Sequence, residues 1–205
     1  MPLFIKISKL CAVILLGFLI FSRYSSIAWA SDKIDSDGDG LSDEEEINIY
    51  HTDPHNGDTD GDGYTDGEEI KNNYNPLSND IIKLTKKIEV NRKKQELSYF
   101  LGDFKLGTFK VSTGKSAMPT PKGTFPIYNK ILRAWSRPYK LWMPYWLGLN
   151  YGKFGLHELP EWPDGTKEGA NHLGKPVSHG CIRLGIGPAK IIYNWAATGT
   201  PVIIN

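Results

Sequence analysis

The chain has 205 residues, with 24 Lys and Arg against 23 Asp and Glu, a formal net charge of +1 and 40% apolar residues. That length and apolar content suit one domain of ordinary size plus a small module, and so even a balance gives no reason to expect a nucleic-acid partner. The balance hides two opposed halves: residues 31–70 hold 15 acidic residues and one basic, residues 71–205 hold 20 basic and 8 acidic.

In chain order, Lys6 and Lys9 precede the run LCAVILLGFLIF, and AWA follows at Ala28–Ala30. A basic start, a short apolar core and small residues before a cleavage point predict a secretory signal peptide over residues 1–30, cut before Ser31. The alternative is an uncleaved anchor, for which the run is short. Cleavage would remove Cys11 and leave Cys181 as the mature chain's one cysteine. An unpaired thiol in an exported protein points to an intermolecular bridge, a buried spectator or a reactive site.

Residues 31–70 form the acidic module. DSDGDGLSDEEE and DTDGDGYTDGEE repeat one pattern 23 residues apart. The first loop places Asp35, Asp37, Asp39, Asp43 and Glu46 at positions 1, 3, 5, 9 and 12, and the second places Asp58, Asp60, Asp62, Asp66 and Glu69 there. Leu41 and Tyr64 at position 7 would offer backbone carbonyls, and Gly40 and Gly63 permit the turn. Such spacing wraps hard oxygen donors around calcium, here as a structural ion. An acidic disordered linker would share the composition but not two in-register copies. No long helix precedes either loop, so the pair resembles bacterial DxDxDG repeats, related to dockerin and thrombospondin type 3 loops, rather than complete EF-hands.

Residues 71–86 read as a polar linker, and residues 87–205 as a strand-rich basic domain. KKIEV alternates apolar and polar residues, and QELSYFL and FKLGTFKVSTG flank a Gly102-Asp103 turn as a hairpin. TPKGTFPI continues the β pattern. The aromatic segment from Arg133 to Pro160, interrupted by prolines, reads as a long loop walling a groove. PAKIIYNWAATG predicts a short helix with Pro188 in its first turn and Gly199 at its C-terminal cap, before a last strand TPVIIN.

Cys181 lies in VSHGCIRLG. A cysteine nucleophile needs a base to form thiolate and donors for an oxyanion. Gly180 leaves room for a substrate backbone, and the Gly180 and Cys181 N–H groups are candidate oxyanion donors. Arg183 suggests an electropositive thiol. A zinc site is the weaker alternative, without paired CxxC or HxxxH spacing.

SHGCIRL, with GLHELP upstream and VSTGK, TPKGTF, MPYW and GTPVII in order, resembles the YkuD-type L,D-transpeptidase catalytic domain. The resemblance implies a mainly β, L,D-transpeptidase β-sandwich with a short C-terminal helix. It also implies an exported acyltransferase, in the periplasm, cell wall or outside the cell, that acts on peptidoglycan stem peptides and needs no catalytic cofactor. Cys181 then matches the nucleophile and His157 the base, oriented by the backbone carbonyl of Glu158. Ser178, His179, Gly180 and Arg183 match supporting positions. Glu158 stands where a small residue is common, and the interval from His157 to Ser178 carries an insert, EWPDGTKEGAN. His172 beside it is structural or substrate-facing. The alternatives are an L,D-carboxypeptidase using water, a sortase-like transpeptidase and a calcium-dependent wall-binding protein. The basic domain suits an anionic cell-wall surface, and a monomer is expected.

Overall fold

The computed structural model describes residues 33–205. The predicted signal peptide lies outside the described residues. Among the described residues no helix is long and apolar enough to cross a membrane. Residues Asp35–Asn205 form one compact unit.

The acidic module is a pair of loop–helix units. Ser42 caps the short helix α1 (Asp43–Glu45) in a reciprocal capping box with Glu45, and a π-helical turn, Glu46–Tyr50, follows. Thr65 caps α2 (Asp66–Asn72). The loops pack on each other at Gly67, whose N–H donates to Asp39 Oδ2 at 2.7 Å. A Cβ there would sit 2.2 Å from the Asp39 carbonyl oxygen, so only glycine permits the approach. Tyr50, nearly buried, meets Phe104 edge to face at 5.5 Å.

The stretch 71–86 is structured. It contains the end of α2, a bridge between Tyr74 and Lys83, and a hydrogen bond from Asn79 Nδ2 back to the Asp60 carbonyl.

Nine strands follow: β1 (Lys86–Asn91), β2 (Glu96–Leu101), β3 (Phe104–Ser112), β4 (Gly123–Pro126), β5 (Asn129–Ser136), β6 (Leu141–Leu149), β7 (Phe154–Glu158), β8 (Ile182–Leu184) and β9 (Pro201–Ile204). They join in the order β4-β9-β1-β2-β3-β8-β7-β6-β5, antiparallel except for β1–β9 and β7–β8. The mainly β class holds. Strand alternation sends Ile88, Val90 and Leu97 from one half of the sheet, and Leu147, Leu156 and Ile182 from the other, into one core. Helix α3 (Pro188–Trp195) adds Ala189 and Ile192 to it.

Two local expectations change. The aromatic segment is not a loop but the β5–β6 hairpin and β7. Pro144 is tolerated in β6 because β7 pairs only with Leu147–Leu149, and the β5–β6 ladder skips Leu132 and Tyr145, where Tyr145 has φ 55°. The α3 cap is Ala196, and Gly199, at φ 87°, serves the turn before β9 instead.

One buried residue ties the first hairpin to the cysteine loop. Gln95 Nε2 donates to the Arg92 carbonyl and to Thr113 Oγ1, and its Oε1 accepts from Thr113 N–H at 2.8 Å. The Thr113 carbonyl in turn accepts from Ser178 N–H at 3.0 Å. Gln95→Ala would leave buried Thr113 groups without partners. It should lower unfolding free energy by about 1–3 kcal/mol in urea titrations.

Candidate active site

The parallel ladder between β7 and β8 builds the site. It pairs Leu156 with Ile182 and His157 with Arg183. Leu156, Ile182 and Leu184 enter the core. His157, Arg183 and Cys181, two residues before Arg183, line an open cavity of about 770 Å³. Ser178 and His179 line it too.

His157 is 3% exposed. Its Nδ1–H donates to the Glu158 carbonyl at 2.5 Å, which fixes the tautomer and leaves Nε2 with the lone pair. Burial pulls its pKa down to about 4, against the opposing effect of that carbonyl and with a further push from Arg183. The imidazole is therefore neutral and an acceptor at neutral pH.

Cys181 is a half-buried free thiol. Burial raises its pKa above the ordinary value, and this outweighs the Gly155 backbone hydrogen bond and the Arg183 charge, which both lower it. The electropositive thiol expected from Arg183 is thus overruled by desolvation. Both shifts favour the neutral forms, thiol and imidazole.

The cysteine loop is held from beneath. Ser178 Oγ donates to the Cys181 carbonyl at 2.6 Å and accepts from Gly180 N–H at 3.2 Å. Thr120 Oγ1 donates to the Gly180 carbonyl at 2.9 Å and accepts from Gly114 N–H at 2.8 Å. The Gly180 N–H expected at an oxyanion is engaged by Ser178, which shifts that expectation onto the Cys181 N–H. Gly180 has φ 109°, a conformation that side-chain-bearing residues rarely adopt. His179 is exposed and stacks on Tyr139 at 4.7 Å, so it forms groove wall. His172 does not line the cavity.

Gln95, Thr113 and Thr120 were not found by sequence reasoning as site supports. Their one signal was position: Gln95 opens the QELSYF block, Thr113 lies in VSTGK and Thr120 in TPKGTF.

The insert is pinned over β7. Lys167 pairs with Glu158 and Glu161, Arg133 pairs with Glu161, and Arg183 Nη1 meets Glu168 Oε1 at 3.3 Å. Glu158, buried beside the histidine, thereby has a cation of its own.

The acidic loops gather Asp35, Asp37 and Asp39, and Asp58, Asp60 and Asp62. Asp35 accepts from Gly38 and Gly40 N–H, and Asp58 from Gly61 and Gly63 N–H. Leu41 N–H donates to Asp39 and Tyr64 N–H to Asp62. Four buried oxygens have no partner: Oδ2 of Asp37 and Asp60, and Oε2 of Glu46 and Glu69. Burial, with neighbouring carboxylates adding to it, pushes Glu46 and Glu69 up to about 7. Two orphaned carboxylate oxygens per loop fit a hard cation. Asp43 and Asp66 differ from expectation. Both oxygens of each accept from Ser36 or Thr59, so they brace the loops from behind.

A thiol just before β8 and a buried imidazole on β7 thus line one cavity. The profile of the L,D-transpeptidase catalytic domain (YkuD) matches residues 85–204, and the chain belongs to that family. The bacterial TSP3 repeat profile matches residues 35–57 and 58–79. The chain is 35% identical over 126 residues to YciB of Bacillus subtilis (strain 168), which carries the name of the same family; the match covers 58% of this chain and 64% of that protein, under two-thirds of its length. An L,D-transpeptidase structure from Stackebrandtia nassauensis aligns with TM-score 0.51 at 27% identity, over 60% of this chain and 57% of that one. One from Mycobacterium smegmatis, at TM-score 0.52 and 20% identity over 60% and 59%, shares the fold.

The raised thiol pKa sets a pH dependence. A thiol held above its ordinary value has less thiolate at pH 7 than a free cysteine, and gains it only as pH rises. Iodoacetamide alkylation of Cys181, followed by intact mass, should be slower than that of N-acetylcysteine at pH 7. The gap should narrow through the alkaline range.

Proposed function

We propose that the chain is an exported L,D-transpeptidase that acts on peptidoglycan stem peptides through a Cys181 acyl-enzyme. The observation that carries this reading is the β7–β8 register, which brings Cys181 into one cavity with a histidine whose Nε2 is a lone-pair acceptor. His157 takes the thiol proton as sulfur attacks the carbonyl between an L-centre residue and a terminal D-amino acid. The oxyanion meets the Cys181 N–H, and the D-amino acid leaves with the proton from His157. An amine of a second stem peptide then displaces the sulfur and forms a crosslink. Water in place of the amine would give the carboxypeptidase outcome. Ser178 holds the loop, Gly180 shapes it, His179 walls the groove and Arg183 lies beneath it.

Cys181→Ala should keep the wild-type melting temperature and lose at least about 10³-fold in turnover of a stem tetrapeptide, with no carbapenem mass adduct. His157→Ala should fall nearly as far, because nucleophile and base act as a unit. Product masses with and without an amine acceptor separate transfer from hydrolysis.

The same reading makes the acidic module a calcium-binding unit near the wall, with the basic domain facing anionic wall polymer. Asp35, Asp37, Asp39 and Glu46 would hold one ion, and Asp58, Asp60, Asp62 and Glu69 a second. The ion would supply the positive charge that these inward-facing carboxylates lack. At calcium a hundredfold above Kd, each site should add about 2.7 kcal/mol of stability. Thermal melts with calcium and with chelator should show the shift, and Glu46→Gln with Glu69→Gln should remove most of it.

A further inference from the structure

Resting on the transpeptidase reading, we propose that Glu168 selects the acceptor, its carboxylate docking a side-chain ammonium at the insert end of the groove. β7, a strand of five residues and so about 15 Å long, contributes His157 to the cavity wall. At the N-terminal end of β7 lies the turn Asn150–Lys153, with Tyr151 and Lys153 lining the cavity. At the C-terminal end lies the insert, which contributes Trp162 and Glu168. Cys181 and His157 sit between.

The two ends differ in charge. Glu168 is the one carboxylate among the described residues that line the cavity, whereas Lys153 at the far end is an exposed cation. A carboxylate and an exposed indole lining the same cavity favour a cation by charge and by the ring face. The lysine end favours the carboxylate of the leaving D-amino acid. The cavity thus has a polarity along the axis on which donor and acceptor must meet at the sulfur.

Glu168 is also fixed in place. Its N–H donates to the Pro160 carbonyl at 2.8 Å. Its neighbour Lys167 is clamped by Glu158 and Glu161. The Arg183 contact is a single 3.3 Å approach to Oε1, not a two-pronged pair, and the Glu168 side chain keeps 29% exposure. One oxygen therefore remains for a ligand.

In the transfer step the docked ammonium first gives a proton to solvent. The neutral amine adds to the thioester carbonyl carbon. The C–N bond forms and the C–S bond breaks. The surplus amine proton passes through His157 Nε2 to the sulfur, which restores thiol and neutral imidazole.

The test uses the full chain, a stem-tetrapeptide donor and two competing acceptors: Nα-acetyl-lysine, cationic at neutral pH, and hydroxylamine, which is uncharged there. Products and acyl-enzyme are read by mass spectrometry. Glu168→Gln should lower the preference for the lysine derivative over hydroxylamine roughly fivefold, through the KM of the cationic amine. Glu168→Asp, which keeps the charge and covers the case where the glutamine variant fails to fold, should retain most of the preference. An unchanged preference in Glu168→Gln, or an equal loss with both amines, overturns the proposal while an acyl-enzyme still supports the transpeptidase reading. No acyl-enzyme in the wild-type protein overturns both.

Discussion

The parallel pairing of β7 with β8 is the constraint on which the site depends. Side chains alternate across a sheet with period two, so a slip of one residue would exchange groove and core faces. His157 would then enter the core, and Leu156 would face the groove. The register is held on both sides. β3 pairs Ser112 with Arg183 from the other edge of β8, and three core residues, Leu156, Ile182 and Leu184, have their places on the opposite face. Catalytic geometry and core packing are therefore one requirement, and neither can shift without the other.

Burial then decides the chemistry of the pair. Arg183 lies close enough to favour thiolate and disfavour imidazolium; desolvation outweighs it at the thiol and adds to it at the imidazole, so both groups move toward neutrality. In the proposed mechanism a neutral pair would transfer its proton during attack, the work of a general base rather than of a counter-ion to a standing thiolate. The Glu158 carbonyl matters for the same reason. It fixes which nitrogen is free without adding a charge that would hold the imidazole protonated. The acidic side chain of that residue would work against this if it stood unpaired, and Lys167 from the insert answers it.

Legibility in the sequence followed how local each cause was. The hairpin turn at Gly102-Asp103, the Pro188 helix start and the paired acidic loops rest on interactions within a few residues, and all were readable. Cys181 and His157 were singled out from a short motif, and the structure lines one cavity with both. The β5–β6 hairpin was hidden, since Pro138 and Pro144 both signal breaks, whereas Pro138 falls in the hairpin turn and Pro144 where β7 does not pair. The thiol's raised pKa was hidden too: Arg183 is visible in the sequence, whereas desolvation comes from strands far apart in the chain. Gln95 and Thr120 act across 18 and 60 residues respectively, through hydrogen bonds that no local pattern announces.

The opposed charges of the two halves have a similar explanation. An acidic module joined to a basic domain invites the idea that one neutralises the other. The geometry divides the charges differently. Glu158, Glu161 and Glu168 find their cations within the catalytic domain. The loop carboxylates turn inward, to glycine N–H groups and to one another. What joins the halves is uncharged contact: Tyr50 on Phe104, Tyr74 N–H donating to the Glu69 carbonyl, and Asn79 Nδ2 donating to the Asp60 carbonyl. The junction therefore consumes no charge, and the orphaned oxygens of Asp37, Glu46, Asp60 and Glu69 gain no partner from the basic half.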